Sequence, residues 1–159
     1  MGGGILPVAI HKGKIYFLFS REWIKSKDDG GKWSDFGGSR EGNETYRETA
    51  IREGYEESGG FLGSKNNIKN LVDNHTILNI TKNGYGCYLV LIDYDASLPK
   101  RFRNKFKKVL ERKPHMVKKH NGLYEKDMLR WYSYEDMKSK YKMFRPWFKS
   151  IVKEIMKNL

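Results

Sequence analysis

The sequence predicts a protein of mixed α and β structure, and three observations favour this fold class. Segments 5–10 and 14–19 are rich in apolar residues and are separated by a short glycine-containing turn, which is typical of a strand pair. Segment 46–58 can be placed on a helix that brings several glutamates to one side. Segment 101–112 carries apolar residues at helical spacing. These patterns predict both strands and helices, but they do not by themselves select a topology.

Further strands are predicted in the second half of the chain. Segments 75–81 and 85–94 are joined by Lys82-Asn83-Gly84, and Asn-Gly is a strong indicator of a hairpin turn. Segment 129–132 has the composition of a short strand. Segment 61–73 is expected to be mostly loop, with a short helix or an irregular turn.

The helix boundaries are marked by capping residues. The helix over 46–58 is expected to begin at Glu44 or Thr45 and to end at Gly59-Gly60, because glycine is favoured at helix C-caps. Pro114 is expected to end the amphipathic helix over 101–112. A last helix is predicted from about 134 to 157, capped by Ser133 with Asp136 and broken before Pro146.

Length and composition favour one folded domain over residues 1–159. The chain has 38% apolar and 14% aromatic residues, which is enough to build a core. Its single cysteine, Cys87, lies in an apolar run that predicts a buried strand and a reducing compartment. We find no apolar run long enough to span a membrane and no secretory signal, so we expect a cytoplasmic protein.

The glutamates of segment 46–58 predict a metal site. On a helix, Glu53, Glu56 and Glu57 stand at positions i, i+3 and i+4 and therefore point to one side. Carboxylates this close repel one another unless a cation lies between them. Hard oxygen ligands at this density suit Mg²⁺ or Mn²⁺. Arg52 can neutralise and orient the cluster, while the opposite side of the helix, which includes Tyr55, is expected to face a core.

The stretch 38–60 resembles the Nudix box, G-x5-E-x7-R-E-U-x-E-E-x-G-U, where U is a bulky apolar residue. Every charged position and both glycines of the pattern are present at the required spacing, at Gly38, Glu44, Arg52, Glu53, Glu56, Glu57 and Gly59. The two U positions depart from the pattern, because Gly54 and Gly60 occupy them. The resemblance implies the Nudix fold, an αβα sandwich around a mixed β-sheet.

The resemblance also implies a metal-dependent hydrolase that cleaves a diphosphate linkage. It assigns Glu53, Glu56 and Glu57 as metal ligands for Mg²⁺ or Mn²⁺, with the backbone carbonyl of Gly38 as a further ligand. Arg52 would hold the glutamates in place.

Two further acids take roles by the same resemblance. Glu44 is expected to brace the junction of loop and helix rather than to bind metal. The general base varies within the family, so a box glutamate can serve, as can Glu125 in a later loop. Asp127 is the alternative if the loop register differs.

A basic surface points to a phosphate-rich substrate. The net charge is +12, and the segment from Lys100 to His120 contains ten Lys or Arg residues and one acidic residue. The predicted phosphate-contacting residues on this segment are Lys100, Arg101, Arg103, Lys105, Lys107 and Lys108. Trp33 and Trp23 are candidates for stacking on a base.

The residues before the box, Trp-Ser-Asp-Phe-Gly-Gly-Ser, are similar to those of Nudix hydrolases from large DNA viruses. That likeness implies capped RNA as the preferred substrate, with diphosphoinositol polyphosphates or free nucleotides such as dinucleoside polyphosphates as alternatives. A non-catalytic RNA-binding module on the same fold is the alternative of another class. The sequence does not indicate an oligomeric state.

Overall fold

The structure is a computed structural model that describes residues 1–118 and 123–159. Its strands are β1 (Gly2–His11), β2 (Lys14–Glu22), β3 (Trp33–Ser34), β4 (Phe36–Ser39), β5 (Thr76–Lys82), β6 (Tyr85–Leu91) and β7 (Lys126–Tyr132). Its helices are α1 (Tyr46–Ser58), α2 (Lys65–Asn74), α3 (Leu98–Arg112), α4 (Pro114–Lys118), α5 (Tyr134–Ser139) and α6 (Lys149–Asn158). The prediction of a mixed α and β fold is therefore confirmed.

Strand β1 lies at the centre of a mixed sheet. In the described part of the chain the sheet has seven strands in the order β3-β2-β1-β6-β5, with β4 beside β1 and β7 beside β2. β1 pairs in parallel with β6 and in antiparallel fashion with two partners along its other edge. β4 takes the first half of that edge, from Gly2 to Ile5, and β2 takes the second half, from Val8 to His11. The split brings the Gly37-Gly38 segment of β4 next to the glycine-rich start of β1.

The alternation of side chains along the strands divides the core between the two faces of the sheet. On one face, Ile5 of β1 packs with buried residues of α1, α2 and α3. On the other face, Leu6 packs with Phe144, Phe148 and α6. Helices therefore cover both faces of the sheet, as expected for an αβα sandwich.

Several elements differ from the sequence prediction. The supposed loop over 61–73 contains the ten-residue helix α2, capped by Ser64 and seated by the buried Ile68 and Val72. The last predicted helix is broken before Pro146, as predicted, and its two parts, α5 and α6, are separated by short 3-10 turns on either side of Arg145. Tyr55 is 39% exposed rather than packed in a core. Within residues 1–118 and 123–159, every helix is too short or too polar to cross a lipid bilayer.

Candidate functional site

Helix α1 is fixed at both ends by the residues that the sequence indicated. Thr45 is its N-cap and forms a capping box with Glu48, in which each side chain accepts a hydrogen bond from the backbone of the other residue. Gly59 ends the helix in the left-handed conformation, with φ of 60°. Between these ends, Gly54 packs against the sheet, because a Cβ there would lie 2.9 Å from Ile5 Cδ1. The glycine at this U position thus permits close packing of α1 on β1.

Arg52 is the centre of the charge network on α1. Its guanidinium donates to Glu44 Oε2 at 2.9 Å, to Glu53 Oε1 at 2.9 Å and to Glu56 Oε2 at 3.3 Å. It also donates to the carbonyl of Ser39 at 2.9 Å, which ties the helix to the end of β4. The hydrogen bond from Arg52 lowers the pKa of Glu44 to about 2, so Glu44 is a permanent anchor for the arginine.

The three glutamates assigned as metal ligands line one pocket. Burial raises the pKa of Glu53 to about 7, and it also raises the pKa of Glu56 and of the 4%-exposed Glu57. Glu57 Oε1 accepts a hydrogen bond from the backbone N–H of Gly37 at 2.8 Å. A Cβ on Gly38 would lie 2.6 Å from Glu53 Oε1, so a larger residue here would force this carboxylate to shift.

The pocket has a volume of about 640 Å³ and mixes carboxylates with cations. Besides the box residues, the side chains that carry charge or an aromatic ring at its wall belong to Glu22, Trp23, Lys27, Asp28, Arg40, Glu41, Glu125 and Arg145. Glu125 therefore lies at the same pocket as the box glutamates. Its negative charge contributes to the raised pKa of Glu53, Glu56 and Glu57.

Asp127, the alternative general base, does not reach this pocket. It is 1% exposed, and its carboxylate accepts two hydrogen bonds from Arg21, at 2.7 and 3.0 Å. It also accepts the backbone N–H of Ile24 at 3.1 Å. These contacts fix Asp127 as a structural ion pair, which corrects the suggestion that it acts as the base.

A buried ion-pair network below the pocket was missed by sequence reasoning. Lys126 is 1% exposed, and its Nζ lies 2.6 Å from Glu22 Oε1 and 3.8 Å from Glu57 Oε1. Arg145 Nη1 contacts the same Glu22 oxygen at 2.9 Å, and its Nε contacts Asp29 at 3.1 Å. Burial alone would lower the pKa of Lys126, but Glu57 and Glu22 outweigh it and raise the pKa, so the amine stays charged.

The predicted stacking role of Trp33 is corrected by its burial. Trp33 is 4% exposed and packs against Tyr132, with ring centroids 5.6 Å apart. It therefore belongs to the core, where it cannot reach a ligand in the pocket. Trp23, the other candidate for stacking, is half-buried at the pocket wall.

The basic residues of α3 have unequal surroundings. Lys100, Lys105, Lys107 and Lys108 are exposed, as predicted. Arg101 is exposed but pairs with Asp95 Oδ2 at 2.7 Å. Arg103 is turned inward, where it donates to the carbonyl of Asp127 at 3.0 Å, so its outward orientation is corrected. The end of the predicted basic segment, from 119 to His120, lies outside the described residues.

The donors at the pocket fit a divalent cation in their chemistry. Three carboxylates and a backbone carbonyl are hard oxygen ligands, which suit Mg²⁺ or Mn²⁺. In residues 1–118 and 123–159, no three acidic, imidazole or thiol side chains converge into a ready-made metal cage. Arg52 already engages Glu53 and Glu56, so these carboxylates would have to share their oxygens between the guanidinium and a metal ion. Burial is the main cause of the raised pKa of Glu53, and the charges of Glu56 and Glu125 add to it.

Comparison with known proteins identifies the fold. The structure is similar to an Ap4A hydrolase from C. elegans, with 15% identity, a TM-score of 0.51, and coverage of 97% of this chain and 93% of the hydrolase. It is also similar to the Nudix domain of NrtR from Shewanella oneidensis in complex with ADP-ribose, with 10% identity, a TM-score of 0.53, and coverage of 98% and 85%. No protein-family model and no curated protein matches the sequence. The chain has the Nudix fold, and the αβα sandwich with a mixed sheet is confirmed.

Proposed function

We propose that this protein is a hydrolase that cleaves a diphosphate linkage with the help of Mg²⁺ or Mn²⁺. One observation carries the proposal: Glu53, Glu56 and Glu57 line a single pocket together with Gly38 and several cationic side chains. A pocket that offers oxygen ligands beside positive charges suits a substrate that carries both metal-binding phosphates and further negative charge. The proposal includes a single Nudix domain over residues 1–159, because both core layers share one sheet.

In this mechanism the side chains of the box prepare the site rather than react covalently. A bound divalent cation would neutralise phosphate oxygens and so lower the barrier to attack by water. Glu53, Glu56 and Glu57 would hold the cation, with the carbonyl of Gly38 as a further ligand. Arg52 orients Glu53 and Glu56 through its hydrogen bonds at 2.9 and 3.3 Å. Glu125, at the same pocket wall, is the proposed base that takes a proton from the attacking water.

A substrate built on a nucleoside diphosphate fits the size and lining of the pocket. Its volume of about 640 Å³ lies within the range of small-molecule sites. Lys27 and Arg40 at the wall provide contacts for phosphates beyond the cleaved bond, and the half-buried Trp23 provides a surface for a base. Proteins with this fold include one named an Ap4A hydrolase and one in complex with ADP-ribose, and both Ap4A and ADP-ribose contain linked phosphates. We therefore propose dinucleoside polyphosphates and related free nucleotides as the first substrate class.

Capped RNA is the second candidate, and the position of helix α3 favours it. Lys105, Lys107 and Lys108 are exposed on α3, and α4, which follows directly, contributes Val117 to the pocket wall. An RNA chain that leaves the pocket past α4 would meet these lysines, whose charges suit a phosphate backbone. A free nucleotide would not need this surface.

Product analysis separates these substrates. The protein is incubated with Mg²⁺ or Mn²⁺ and, in parallel, with a dinucleoside polyphosphate, ADP-ribose, a diphosphoinositol polyphosphate and capped RNA, and the products are resolved by chromatography. We expect metal-dependent release of a nucleoside phosphate from the dinucleoside polyphosphate. Faster cleavage of capped RNA than of the free cap dinucleotide would favour the RNA candidate. No cleavage of any substrate, with metal binding intact, would leave a binding module on the same fold.

A further inference from the structure

Lys126 occupies an unusual position for a lysine, because its ammonium group lies fully inside the protein. It begins β7, opposite Glu22 in the register of the sheet. Its Nζ contacts Glu22 Oε1 at 2.6 Å, donates to Ser34 Oγ at 3.1 Å and lies 3.8 Å from Glu57 Oε1. One amine thus connects two strands to the box helix.

The network around Lys126 is largely buried, and its members Glu22, Glu57 and Arg145 reach the pocket wall while Lys126 does not. Glu22 is 7% exposed and takes a second cation, Arg145, at 2.9 Å, so its charge is balanced independently of Glu57. Within the described residues, no buried side-chain nitrogen or oxygen lacks a hydrogen-bond partner. Burying such a network is expensive, and apolar residues of similar volume often stabilise a fold equally well. Its retention beside Glu57 therefore points to a role at the pocket.

Lys126 also lies at the junction of two acidic groups of the site. The Glu57 oxygen that faces Lys126, Oε1, also accepts the backbone N–H of Gly37 at 2.8 Å. Glu125 precedes Lys126 in the chain, and the carbonyl of Glu125 accepts the backbone N–H of Trp23 at 2.9 Å. Glu22 and Ser34 anchor Lys126, which begins β7 directly after Glu125. These contacts therefore fix the end of the Glu125 segment relative to the carboxylate of Glu57.

We propose that Lys126 is a positioning residue that holds Glu57 and aligns it with Glu125, and that Glu22 anchors Lys126 for this purpose. The inference deepens the proposed hydrolase function and rests on it. Lys126 acts through its neighbours, since it is buried behind Glu57 and does not line the pocket.

If Lys126 acted only through its charge, its removal would change the metal affinity in the direction opposite to that expected for a positioning residue. A positive charge behind a metal ligand repels the metal ion, so its removal would tighten metal binding if Glu57 kept its place. If Lys126 instead positions Glu57, its removal weakens metal binding, because partners that orient a ligand typically contribute roughly 10–100-fold to affinity or activity. The direction of the change distinguishes the two roles.

The test compares wild type with Lys126→Met and with the double variant Glu22→Gln/Lys126→Met. Free Mn²⁺ is followed by electron paramagnetic resonance to give its dissociation constant, and kcat and KM are measured with the best substrate. Lys82→Met is the matched control, because it removes another Lys–Glu pair, Nζ to Glu154 Oε1 at 3.0 Å, which joins β5 to α6 and not to the box helix. Thermal unfolding checks that each variant is folded.

We expect Lys126→Met to bind Mn²⁺ about 10-fold more weakly or worse, and to lose roughly 10–100-fold in kcat with little change in KM. The double variant keeps these losses while it also removes the charge of Glu22, which in the single variant has lost one of its two cations, so it serves if the single variant does not fold. Lys82→Met behaves like wild type. Tighter Mn²⁺ binding, or full recovery of kcat in the double variant, would overturn the positioning role. Absence of hydrolysis by wild type would instead refute the proposed function, while the Mn²⁺ measurement would still test Lys126.

Discussion

Helices α1 and α3 both carry dense charge, mainly acidic on α1 and mainly basic on α3, but their charged side chains have different surroundings. On α1, one arginine is hydrogen-bonded to Glu44, Glu53 and Glu56, and Glu57 is buried against a lysine. On α3, the exposed Lys105, Lys107 and Lys108 form no salt bridge with any carboxylate in the described parts of the chain. The charges of α1 are therefore held at defined positions, whereas those of α3 contribute a general positive field.

Spacing along a helix therefore does not by itself distinguish a chemical site from a charged surface. Both helices match their sequence patterns, but only α1 shows buried charges, shared hydrogen bonds and raised pKa values. A chemical site, as proposed on α1, should lose activity when a single carboxylate is changed. A charged surface, as on α3, should change its binding only when several charges are altered together.

The largest effect is expected on α1, from Glu57→Gln or Glu56→Gln. Each change keeps the shape of the side chain but removes a charge from the proposed metal site. We expect kcat with Mg²⁺ to fall by at least about 100-fold, because even the loss of a ligand's supporting partner typically costs roughly 10–100-fold. Glu48→Gln on the same helix is the control, since Glu48 serves the N-cap and not the pocket. Near-normal turnover in both variants would show that α1 is only a charged surface.

The buried Asp35, whose carboxylate accepts the hydroxyl of Tyr85, should make stability depend on pH. Burial raises the pKa of Asp35 from 3.8 to about 6, although hydrogen bonds from Tyr85 favour its charged form. The proton is therefore bound more tightly in the folded state, so the stabilisation is complete below pH 3.8 and is lost as the pH rises through about 6. At roughly 1.4 kcal/mol per pH unit, the loss amounts to about 3 kcal/mol.

The measurement is the free energy of unfolding of wild type minus that of Asp35→Asn, from pH 4 to 8. This difference should fall by up to about 3 kcal/mol over that range. Tyr85→Phe removes the donor to Asp35 and should move the fall to higher pH. A difference that does not change with pH would mean that Asp35 ionises as it does in the unfolded chain.

On α3, the expected effect needs several substitutions together. Lys105→Glu/Lys107→Glu/Lys108→Glu should weaken binding of single-stranded RNA and lower its salt slope by about 2, at roughly 0.7 for each lost phosphate contact. Hydrolysis of a free dinucleotide should hardly change. The control reverses Lys14, Lys65 and Lys138, which are exposed elsewhere and give the same change in net charge. Equal loss of RNA binding in both triple variants would mean that only net charge matters, and no loss in the α3 variant would remove the support for an RNA substrate.

The smallest effect is expected on stability, when side-chain packing is changed on α1 and on α3. Gly54→Ala on α1 places a methyl group 2.9 Å from atoms of the buried Ile5, and overpacking of this kind typically costs about 1–3 kcal/mol. The better helix propensity of alanine offsets roughly 1 kcal/mol of this. We therefore expect a net loss of about 1 kcal/mol in urea unfolding, against less than about 0.5 kcal/mol for Lys107→Ala on α3. A stabilised Gly54→Ala protein would show that α1 has room at this position.

Local signals in the sequence predicted helix α1 in detail. Its bounds, the cap at Thr45 and the left-handed Gly59 all follow from capping preferences within a few residues. The bond between Glu44 and Arg52 agrees with the bracing role that the box implied. The αβα topology came from the family resemblance, because periodicity alone gave only mixed α and β structure.

Features that depend on tertiary contacts could not be predicted. Lys126 stands between two acids in a polar stretch, so nothing in its surroundings along the chain distinguishes it from an exposed lysine. Its burial follows from pairing with Glu22, about a hundred residues earlier in the chain, and such pairs are not visible in one sequence. Trp33 was misassigned for the same reason. Helix α2 was nearly missed because only Ile68 and Val72 are buried along an otherwise polar segment.

The central place of β1 has a consequence for how the chain folds. β1 forms a local hairpin with β2, but its parallel partner β6 comes much later, with Gly2 opposite Tyr85. Contacts of such long sequence separation slow folding, since the loop between the strands must close before they contribute. Until β6 pairs with β1, one edge of this apolar strand stays open to pairing with other chains. A nascent or truncated chain that stops before β6 should therefore aggregate readily, and a chaperone that covers this edge would assist folding.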